Sequence, residues 1–159
     1  MEMKYQPIGT IHSPFKDLED MPIQPAGAVK VRGAVDVLPE LTAGLRDLAG
    51  FSHIILLYHF HRVQAAKLVV VPFMDSESHG IFATRAPQRP NPIGLSIVRL
   101  VSIEENVLYI EGVDILDGTP LLDIKPYVPE FDRPAVERVG WLERARGKVQ
   151  DWRSDGRFR

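Results

Sequence analysis

Strand-like segments follow one another along most of this chain, with only two short helical patterns between and after them. The stretch 28–37 alternates apolar with polar or small residues, as a half-buried strand does. Six strands are predicted, at 5–12, 28–37, 51–61, 68–73, 93–104 and 106–114, the last two forming a hairpin. So few helices cannot supply the crossovers of a parallel sheet. The sequence therefore predicts a mostly β protein, a small antiparallel β-barrel with a few short helices.

The two helical patterns are short. Leucines recur at helical spacing behind Pro39 and before Gly50. A second amphipathic pattern follows Asp132 and is predicted to form a terminal helix that ends near Gly147. The apolar positions of the first pattern are Leu38, Leu41, Leu45 and Leu48, and those of the second are Val136, Val139, Trp141, Leu142 and Ala145.

Composition excludes several classes of protein. The chain has 159 residues, which fits one domain, and no cysteine, which excludes disulfides, zinc–thiolate sites, iron–sulfur ligation and a cysteine nucleophile. The apolar runs at 54–58 and 68–73 are too short to cross a bilayer, and the start has no signal-peptide core. We expect a soluble, intracellular (cytoplasmic) protein without membrane partners.

Charge is unevenly distributed along the chain. The net charge of -2 argues against a protein that coats nucleic acid indiscriminately. Residues 133–159, however, carry eight basic and four acidic side chains, a local excess of +4. This basic tail either meets a polyanion or is a solvated tail.

Three prolines stiffen the segment 82–96, which also carries Arg85, Arg89 and Asn91. Polar groups held rigidly lose less entropy when they bind a ligand, so this proline segment is a candidate binding element. The alternative is a solvated connector, since loops collect proline and asparagine for conformational reasons alone.

Histidines on the strand 51–61 offer a second candidate. Period two places His53, His59 and His61 on one face, where they can ligate a metal or serve as packing and rim hydrogen bonders. No G-x-G pair occurs in the chain, so the dinucleotide fingerprint and the phosphate loop are both missing.

The stretch 114–127 offers a third candidate. Asp117-Gly118 forms a turn whose backbone a ligand can approach closely, because glycine has no side chain. In an extended chain Asp123, Lys125 and Tyr127 alternate onto one face, which suits polar substrate binding or proton transfer. A strand rim with a mutually neutralising Asp–Lys pair is the alternative.

Several motifs, in order over residues 5–132, together resemble the TsaA-like (TrmO) family. They are Ile8-Gly9-Thr10-Ile11-His12-Ser13-Pro14-Phe15, Gln24-Pro25, Phe51-Ser52-His53, Phe82-Ala83-Thr84-Arg85, Arg89-Pro90-Asn91-Pro92-Ile93-Gly94, Asp117-Gly118-Thr119-Pro120 and Asp123-Ile124-Lys125-Pro126-Tyr127. The resemblance implies a homodimeric β-barrel that uses S-adenosylmethionine to methylate N6 of a threonylcarbamoyl-modified adenosine beside the anticodon of tRNA. It implies a barrel domain at 1–132, with 133–159 as a helix and basic tail of the same domain.

The resemblance also implies a set of site residues. The cofactor would bind at Gln24, Pro25, Ala26, His61, Arg62, Arg85, Leu95, Asp117, Gly118, Thr119 and Pro120, and the RNA substrate would meet Arg89 and Asn91. We expect Tyr127 and Asp123 to assist the nucleophile, and Lys125 or Arg89 to bind the substrate carboxylate. Where many relatives have glycine directly after the Gln-Pro pair, this chain has Ala26-Gly27, which shifts that turn by one position.

Three other functions remain open at this stage. The first is a noncatalytic barrel that binds RNA or a nucleotide. The second is a metal-dependent hydrolase that uses His53, His59 and His61. The third is a methyltransferase with a small-molecule acceptor.

Overall fold

The structure is a computed structural model that describes residues 1–19, 21–22, 28, 30–145, 153 and 157. Among these residues lie eight strands: β1 (Gly9–His12), β2 (Arg32–Val37), β3 (His53–His59), β4 (Val69–Val70), β5 (His79–Gly80), β6 (Ile93–Glu104), β7 (Val107–Glu111) and β8 (Thr119–Pro126). The α-helix α1 spans Pro129–Asp132, and 3-10 helices span Pro39–Leu45, Leu48–Gly50, Ile81–Ala83 and Gly140–Ala145. Across this described part, no helix has the length and apolar character that a bilayer crossing demands.

Six of the strands close into a barrel in the order β1-β2-β7-β6-β3-β8, and β8 pairs with β1 to complete the ring. Every pairing in the barrel is antiparallel. Closure leaves no sheet edge unpaired, which is how small all-β domains avoid edge-to-edge association. The predicted antiparallel β-barrel with a few short helices is confirmed.

The core follows from period-two alternation along the strands. On β3 the side chains of Ile54, Leu56 and Tyr58 point inward and are buried, whereas the neighbours between them are half-buried. Inward residues of the other strands complete the core: Ile11, Val35, Val37, Val98, Leu100, Leu108, Ile110 and Leu121. The predicted division of β3 into two faces is confirmed.

The outer side of β3 and β6 carries an apolar surface. Cross-strand pairs join Ile55 to Ile97 and Leu57 to Leu95, and Ile93 continues the row. Ile93 is 41% exposed and Leu95 is 45% exposed. We call these five residues, Ile55, Leu57, Ile93, Leu95 and Ile97, the outer apolar face.

Both predicted helices differ from the structure. The leucine pattern forms two 3-10 helices that are separated at Asp47, where φ is 67°. The predicted terminal helix is wrong within the described residues, which contain only α1 and the 3-10 helix Gly140–Ala145 between Asp132 and Ala145. Pro134 lacks an amide to donate and Gly140 has a φ of 59°, so no continuous helix passes through this stretch. Gly147 lies outside the described residues.

The predicted strand at 68–73 is reduced to the two residues of β4. It pairs with β5 in a separate two-stranded sheet outside the barrel. Pro72 cannot donate to a sheet ladder, which explains why the strand ends early.

Candidate functional site

A cavity of about 860 Å³ opens at the end of the barrel where β3 ends and β6 begins. We call it the rim cavity. Its walls are the end of β3 and the residues after it, the proline segment with the start of β6, the bend 114–119, and a short stretch near Trp141. The principal lining residues are Tyr58, Phe60, His61, Arg62, Phe82, Thr84, Arg85, Arg89, Leu95, Asp114, Ile115, Leu116, Thr119 and Trp141.

The proline segment is held from within by Arg89. Its Nη1 donates to the carbonyl oxygens of Ile81, Thr84 and Ala86 at 3.1, 2.8 and 3.3 Å. The Thr84 hydroxyl also donates to the Ile81 carbonyl at 2.9 Å. These bonds, together with the prolines, fix the backbone that presents Arg85 to the cavity. The resemblance implies that Arg89 contacts the RNA substrate. In the structure Arg89 lines the cavity, and its Nη1 hydrogen-bonds the backbone of the proline segment.

The bend 114–119 is tied to the residues after β1. Ser13 N–H donates to Asp117 Oδ1 at 3.0 Å, and Ser13 Oγ donates to the Ile115 carbonyl at 2.5 Å. Lys16 Nζ donates to the other oxygen of Asp117. The Lys16 hydrogen bond and the Ser13 amide hold the pKa of Asp117 below its usual range. The Asp117 carboxylate therefore anchors the bend.

Backbone donors of this bend are also engaged. The amides of Asp117, Gly118 and Thr119 donate to the carbonyls of Phe15, Ile11 and Leu116 at 2.8, 2.9 and 3.3 Å, and Pro120 has no amide hydrogen. These amides are therefore not available to a ligand, which meets Ile115, Leu116 and Thr119 at this bend. Of the four residues that the resemblance assigns here, Thr119 lines the cavity, and Asp117, Gly118 and Pro120 do not.

Trp141 closes another side of the cavity. Its Nε1 donates to the Ala83 carbonyl at 2.8 Å, and its ring stacks on His79 with centroids 4.8 Å apart. His79 Nε2 lies 2.8 Å from Asp75 Oδ2, and this hydrogen bond lowers the pKa of Asp75. The contacts attach the stretch after α1 to the proline segment.

A chain of three hydrogen-bonded side chains joins two lining residues of the cavity, Tyr58 and Asp114, through the buried Ser96. Tyr58 Oη lies 2.9 Å from Ser96 Oγ, and Ser96 Oγ donates to Asp114 Oδ1 at 2.7 Å. Because the Ser96 hydrogen points to the carboxylate, Tyr58 is the donor to Ser96. Ser96 is 1% exposed. Burial raises the pKa of Asp114 to about 6, against the opposing effects of the Ser96 hydrogen bond and the Arg85 charge. Burial and the Asp114 charge also raise the pKa of Tyr58.

Positive side chains outnumber negative ones on the largely apolar cavity wall. Arg62, Arg85 and Arg89 line it together with His61, whose pKa is lowered by desolvation and by the neighbouring Arg62. The arginines of the cavity can therefore bind an anionic group, and Asp114 is the one negative side chain among the described lining residues.

Other predicted site residues lie elsewhere. The Asp123 and Lys125 side chains pair at 2.8 Å on the outside of β8, and hydrogen bonding to Asp123 raises the pKa of Lys125. Tyr127 N–H donates to the His53 carbonyl at 3.1 Å. Neither these residues nor the exposed Asn91 line the rim cavity. Gln24, Pro25 and Ala26 lie outside the described residues.

The histidines do not form a metal centre among the described residues, which contain no group of three potential ligands. His53 and His59 stand at opposite ends of β3, six residues apart, which is about 20 Å at the rise of a strand. His53 Nδ1 is 2.9 Å from Ser52 Oγ.

Sequence reasoning missed this chain of hydrogen-bonded side chains. Period two puts Tyr58 on the face of β3 opposite the histidines, and the sequence predicts no role for Tyr58, Ser96 or Asp114. The available signal was a phenol and a hydroxyl at inward positions of two otherwise aliphatic strands, since buried polar groups require partners.

Comparisons with known proteins identify the family of this chain. The family model described as "tRNA-methyltransferase O N-terminal domain" matches residues 10–133. A probable S-adenosyl-L-methionine-binding protein of Pyrococcus abyssi is 60% identical over 97% of this chain and 84% of its own length. A mouse tRNA (adenine(37)-N6)-methyltransferase is 37% identical over 81% of this chain and 32% of its own length.

Solved structures show the same fold. The crystal structure of TrmO from Pseudomonas aeruginosa matches with a TM-score of 0.75 and 41% identity, over 89% of this chain and 63% of that chain. This chain therefore spans less than two thirds of that protein and about a third of the mouse enzyme. The family model covers most of the barrel and the proline segment, and on that ground the chain belongs to the TsaA-like (TrmO) family.

Proposed function

We propose that this chain binds S-adenosylmethionine in the rim cavity and transfers the methyl group to N6 of a threonylcarbamoyl-modified adenosine beside the anticodon of tRNA. The observation that carries the proposal is the meeting of two distant sequence motifs in one cavity. Arg85 and Leu95 of the proline segment face the same space as Thr119 of the bend. Names of relatives support the cofactor and the acceptor.

The residues of the rim cavity suit an adenosyl amino acid. Its volume of about 860 Å³ lies within the range of small-molecule sites. Phe60, Leu95 and Ile115 supply apolar contacts for a flat base, and Leu116 and Thr119 of the bend line the same space. Arg62 and Arg85 supply charge-assisted donors for a carboxylate. We propose that Gln24, Pro25 and Ala26 complete the site.

The protein contributes mainly alignment and exclusion of water. When bound, S-adenosylmethionine supplies a methyl group on a positively charged sulfur, which a nucleophile displaces in line. The proline segment, held by Arg89, fixes one wall, and Ser13 fixes the bend that forms the other. Fixed walls reduce the entropy lost in aligning two reactants. The target base is unpaired in an anticodon loop and can be splayed into the cavity mouth.

Proton transfer from N6 is assigned to the outer surface of β8. N6 of the modified adenosine belongs to a urea-like group with a delocalised lone pair, so a base or a polarising donor assists it. We propose that Asp123 accepts the N6 proton, that Tyr127 polarises the acceptor and that Lys125 or Arg89 binds the substrate carboxylate. Within one chain these β8 residues lie outside the cavity, so their action requires a second copy.

The outer apolar face provides a place for that second copy. Asp123 pairs across strands with Leu57, and Lys125 with Ile55, so β8 borders this face on one side. Leu95, which lines the cavity, belongs to it on the other side. A twofold axis along β3 sets the β8 side of one copy against the β6 side of the other. We propose a homodimer of this form, in which Asp123 and Tyr127 serve the neighbouring cavity.

Methyl transfer to defined tRNA tests the proposed function. The purified chain is incubated with labelled S-adenosylmethionine and tRNA that carries or lacks the threonylcarbamoyl group, and the nucleosides are identified by mass spectrometry. The proposal predicts N6-methylated, threonylcarbamoylated adenosine from the modified tRNA alone. Bound cofactor without any labelled tRNA would indicate a noncatalytic barrel or a small-molecule acceptor instead. Asp123→Asn and Tyr127→Phe are expected to slow transfer while cofactor binding persists.

A further inference from the structure

Asp114 is the one acidic residue among the described lining residues of the rim cavity, and the proposed function gives it no role. A carboxylate withdrawn from water loses favourable solvation and is retained when hydrogen bonds or an opposite charge compensate. Ser96 supplies one hydrogen bond, to Oδ1. Among the described residues, no second side chain donates a hydrogen bond to this carboxylate, although it lines the cavity. The backbone amide of Asp114 supplies a further hydrogen bond to the carboxylate. Because the carboxylate lines the cavity, the lone pairs that these two bonds leave over can accept a hydrogen bond from a ligand.

The neighbouring charge narrows the chemistry of that ligand. Arg85 lies close enough to Asp114 that its positive charge lowers the pKa of the carboxyl group. A positive and a negative side chain that line the same cavity complement an α-amino acid zwitterion, whose carboxylate and ammonium are separated by one carbon. An α-ammonium has three N–H donors to offer a carboxylate, whereas a sulfonium has none.

We propose that Asp114 binds the α-ammonium group of the methionyl part of the cofactor, opposite the α-carboxylate held by Arg85. This inference rests on the proposed placement of S-adenosylmethionine in the rim cavity. It gives Asp114 the role of a binding residue that selects an adenosyl amino acid over other adenosyl compounds.

Ser96 and Tyr58 position the carboxylate for this task. The chain from Tyr58 Oη through Ser96 Oγ to Asp114 Oδ1 fixes the oxygen that faces away from the ligand. Gly94, opposite Tyr58 in the β3–β6 pairing, leaves room for the tyrosine ring, because a Cβ there would overlap it. The ring and its hydroxyl are thereby held at one position.

Titration calorimetry with two ligands tests the inference. S-adenosylhomocysteine keeps the α-ammonium and lacks the sulfonium, and its deamino analogue lacks both. The wild-type chain is expected to bind the deamino analogue about tenfold or more weakly than S-adenosylhomocysteine, the usual effect of losing a charged hydrogen bond. In Asp114→Asn the affinity for S-adenosylhomocysteine is expected to fall by a similar factor, while the affinity for the deamino analogue stays unchanged.

Matched variants complete the experiment. Asp47→Asn removes an exposed carboxylate with no cap hydrogen bond, at a left-handed φ of 67° that asparagine tolerates, and is expected to bind like wild type. If Asp114→Asn fails to fold, Ser96→Ala replaces it. Loss of the Ser96 hydroxyl is expected to reduce the ratio of the affinities for S-adenosylhomocysteine and its deamino analogue. An unchanged ratio would overturn the inference.

Three other results would also overturn it. Equal affinity of wild type for the two ligands excludes recognition of the amine. If Asp114→Asn lowers the affinity for both ligands by the same factor, Asp114 stabilises the structure of the cavity and does not bind the amine. If Asp114→Asn weakens the binding of S-adenosylmethionine but not that of S-adenosylhomocysteine, Asp114 acts as a counter-charge for the sulfonium. Absence of binding of any adenosyl amino acid by wild type contradicts the proposed function itself, whereas the other results leave it intact.

Discussion

Asp114 illustrates how a single residue links stability to ligand binding. Burial raises the pKa of its carboxyl group from 3.8 to about 6, so the folded chain holds this proton more tightly than the unfolded chain does. The resulting contribution to the free energy of unfolding is fully present below pH 3.8 and is lost as the pH rises through about 6. A shift of this size corresponds to about 3 kcal/mol. The ligand-free fold thus carries an electrostatic cost near neutral pH.

The first prediction concerns that cost. Asp114→Asn removes the titrating group, so the free energy of unfolding of the variant is expected to rise relative to wild type by about 3 kcal/mol between pH 4 and pH 7. Urea denaturation across this range measures the difference. Asp47→Asn, which removes an exposed carboxylate instead, is the control. Its free energy of unfolding is expected to differ from that of wild type by the same amount at every pH in this range. A constant difference between Asp114→Asn and wild type would show that the carboxyl group is not perturbed.

The second prediction concerns Gly94. An added Cβ would overlap the ring of Tyr58 and approach Phe60, so Gly94→Ala is expected to lower the free energy of unfolding by about 1–3 kcal/mol and to weaken cofactor binding. Gly44→Ala is the control, because a Cβ at Gly44 meets nothing within 4 Å. Thermal unfolding and titration calorimetry measure both effects. Equal stability of Gly94→Ala and Gly44→Ala would contradict the packing described for Tyr58.

At the scale of elements, local patterns predicted the strands and missed the tertiary contacts that determine side-chain roles. Alternation correctly grouped Ile54, Leu56 and Tyr58 on one face of β3, which the structure shows to be the inner one. Helical spacing failed for Leu38 to Leu48, because 3-10 turns with i, i+3 contacts satisfy the same spacing. The Ser96–Asp114 bond joins residues 18 positions apart, so no local pattern contains it.

The third prediction concerns the proline segment. Arg89→Lys replaces a planar guanidinium that donates to three carbonyls with an ammonium on a flexible stem. Hydrogen exchange of residues 81–92 is expected to accelerate, and cofactor affinity to fall by about tenfold. Arg46→Lys, on an exposed turn, is the control. Unchanged exchange in Arg89→Lys would show that the prolines alone rigidify the segment.

The whole molecule exposes an apolar surface beside its cavity. Ile93 and Leu95 are 41% and 45% exposed, and they adjoin Ile55, Leu57 and Ile97 on the outer apolar face. The sequence predicted the barrel, since period-two patterns report which side of a strand is buried. It did not reveal that Asp123, Lys125 and Tyr127 lie outside the cavity of their own chain, because that depends on which strands become neighbours on closure.

The fourth prediction concerns association. Ile97→Lys places a charge in the middle of the outer apolar face, so it is expected to convert the proposed homodimer into a folded monomer and to slow methyl transfer. Tyr109→Lys changes a more exposed residue, on β7 and away from this face; it is the control and is expected to remain dimeric. Sedimentation equilibrium distinguishes the two states. A monomeric wild type, or a dimeric Ile97→Lys, would contradict the proposed interface.

A crystal structure of the chain with S-adenosylhomocysteine tests the central claim most directly. We expect the adenosyl group between Leu95 and the bend 114–119, with the amino acid end at Arg85 and Asp114. Ligand bound on the outer surface of β8, near Asp123 and Tyr127, with the rim cavity left empty, would contradict it.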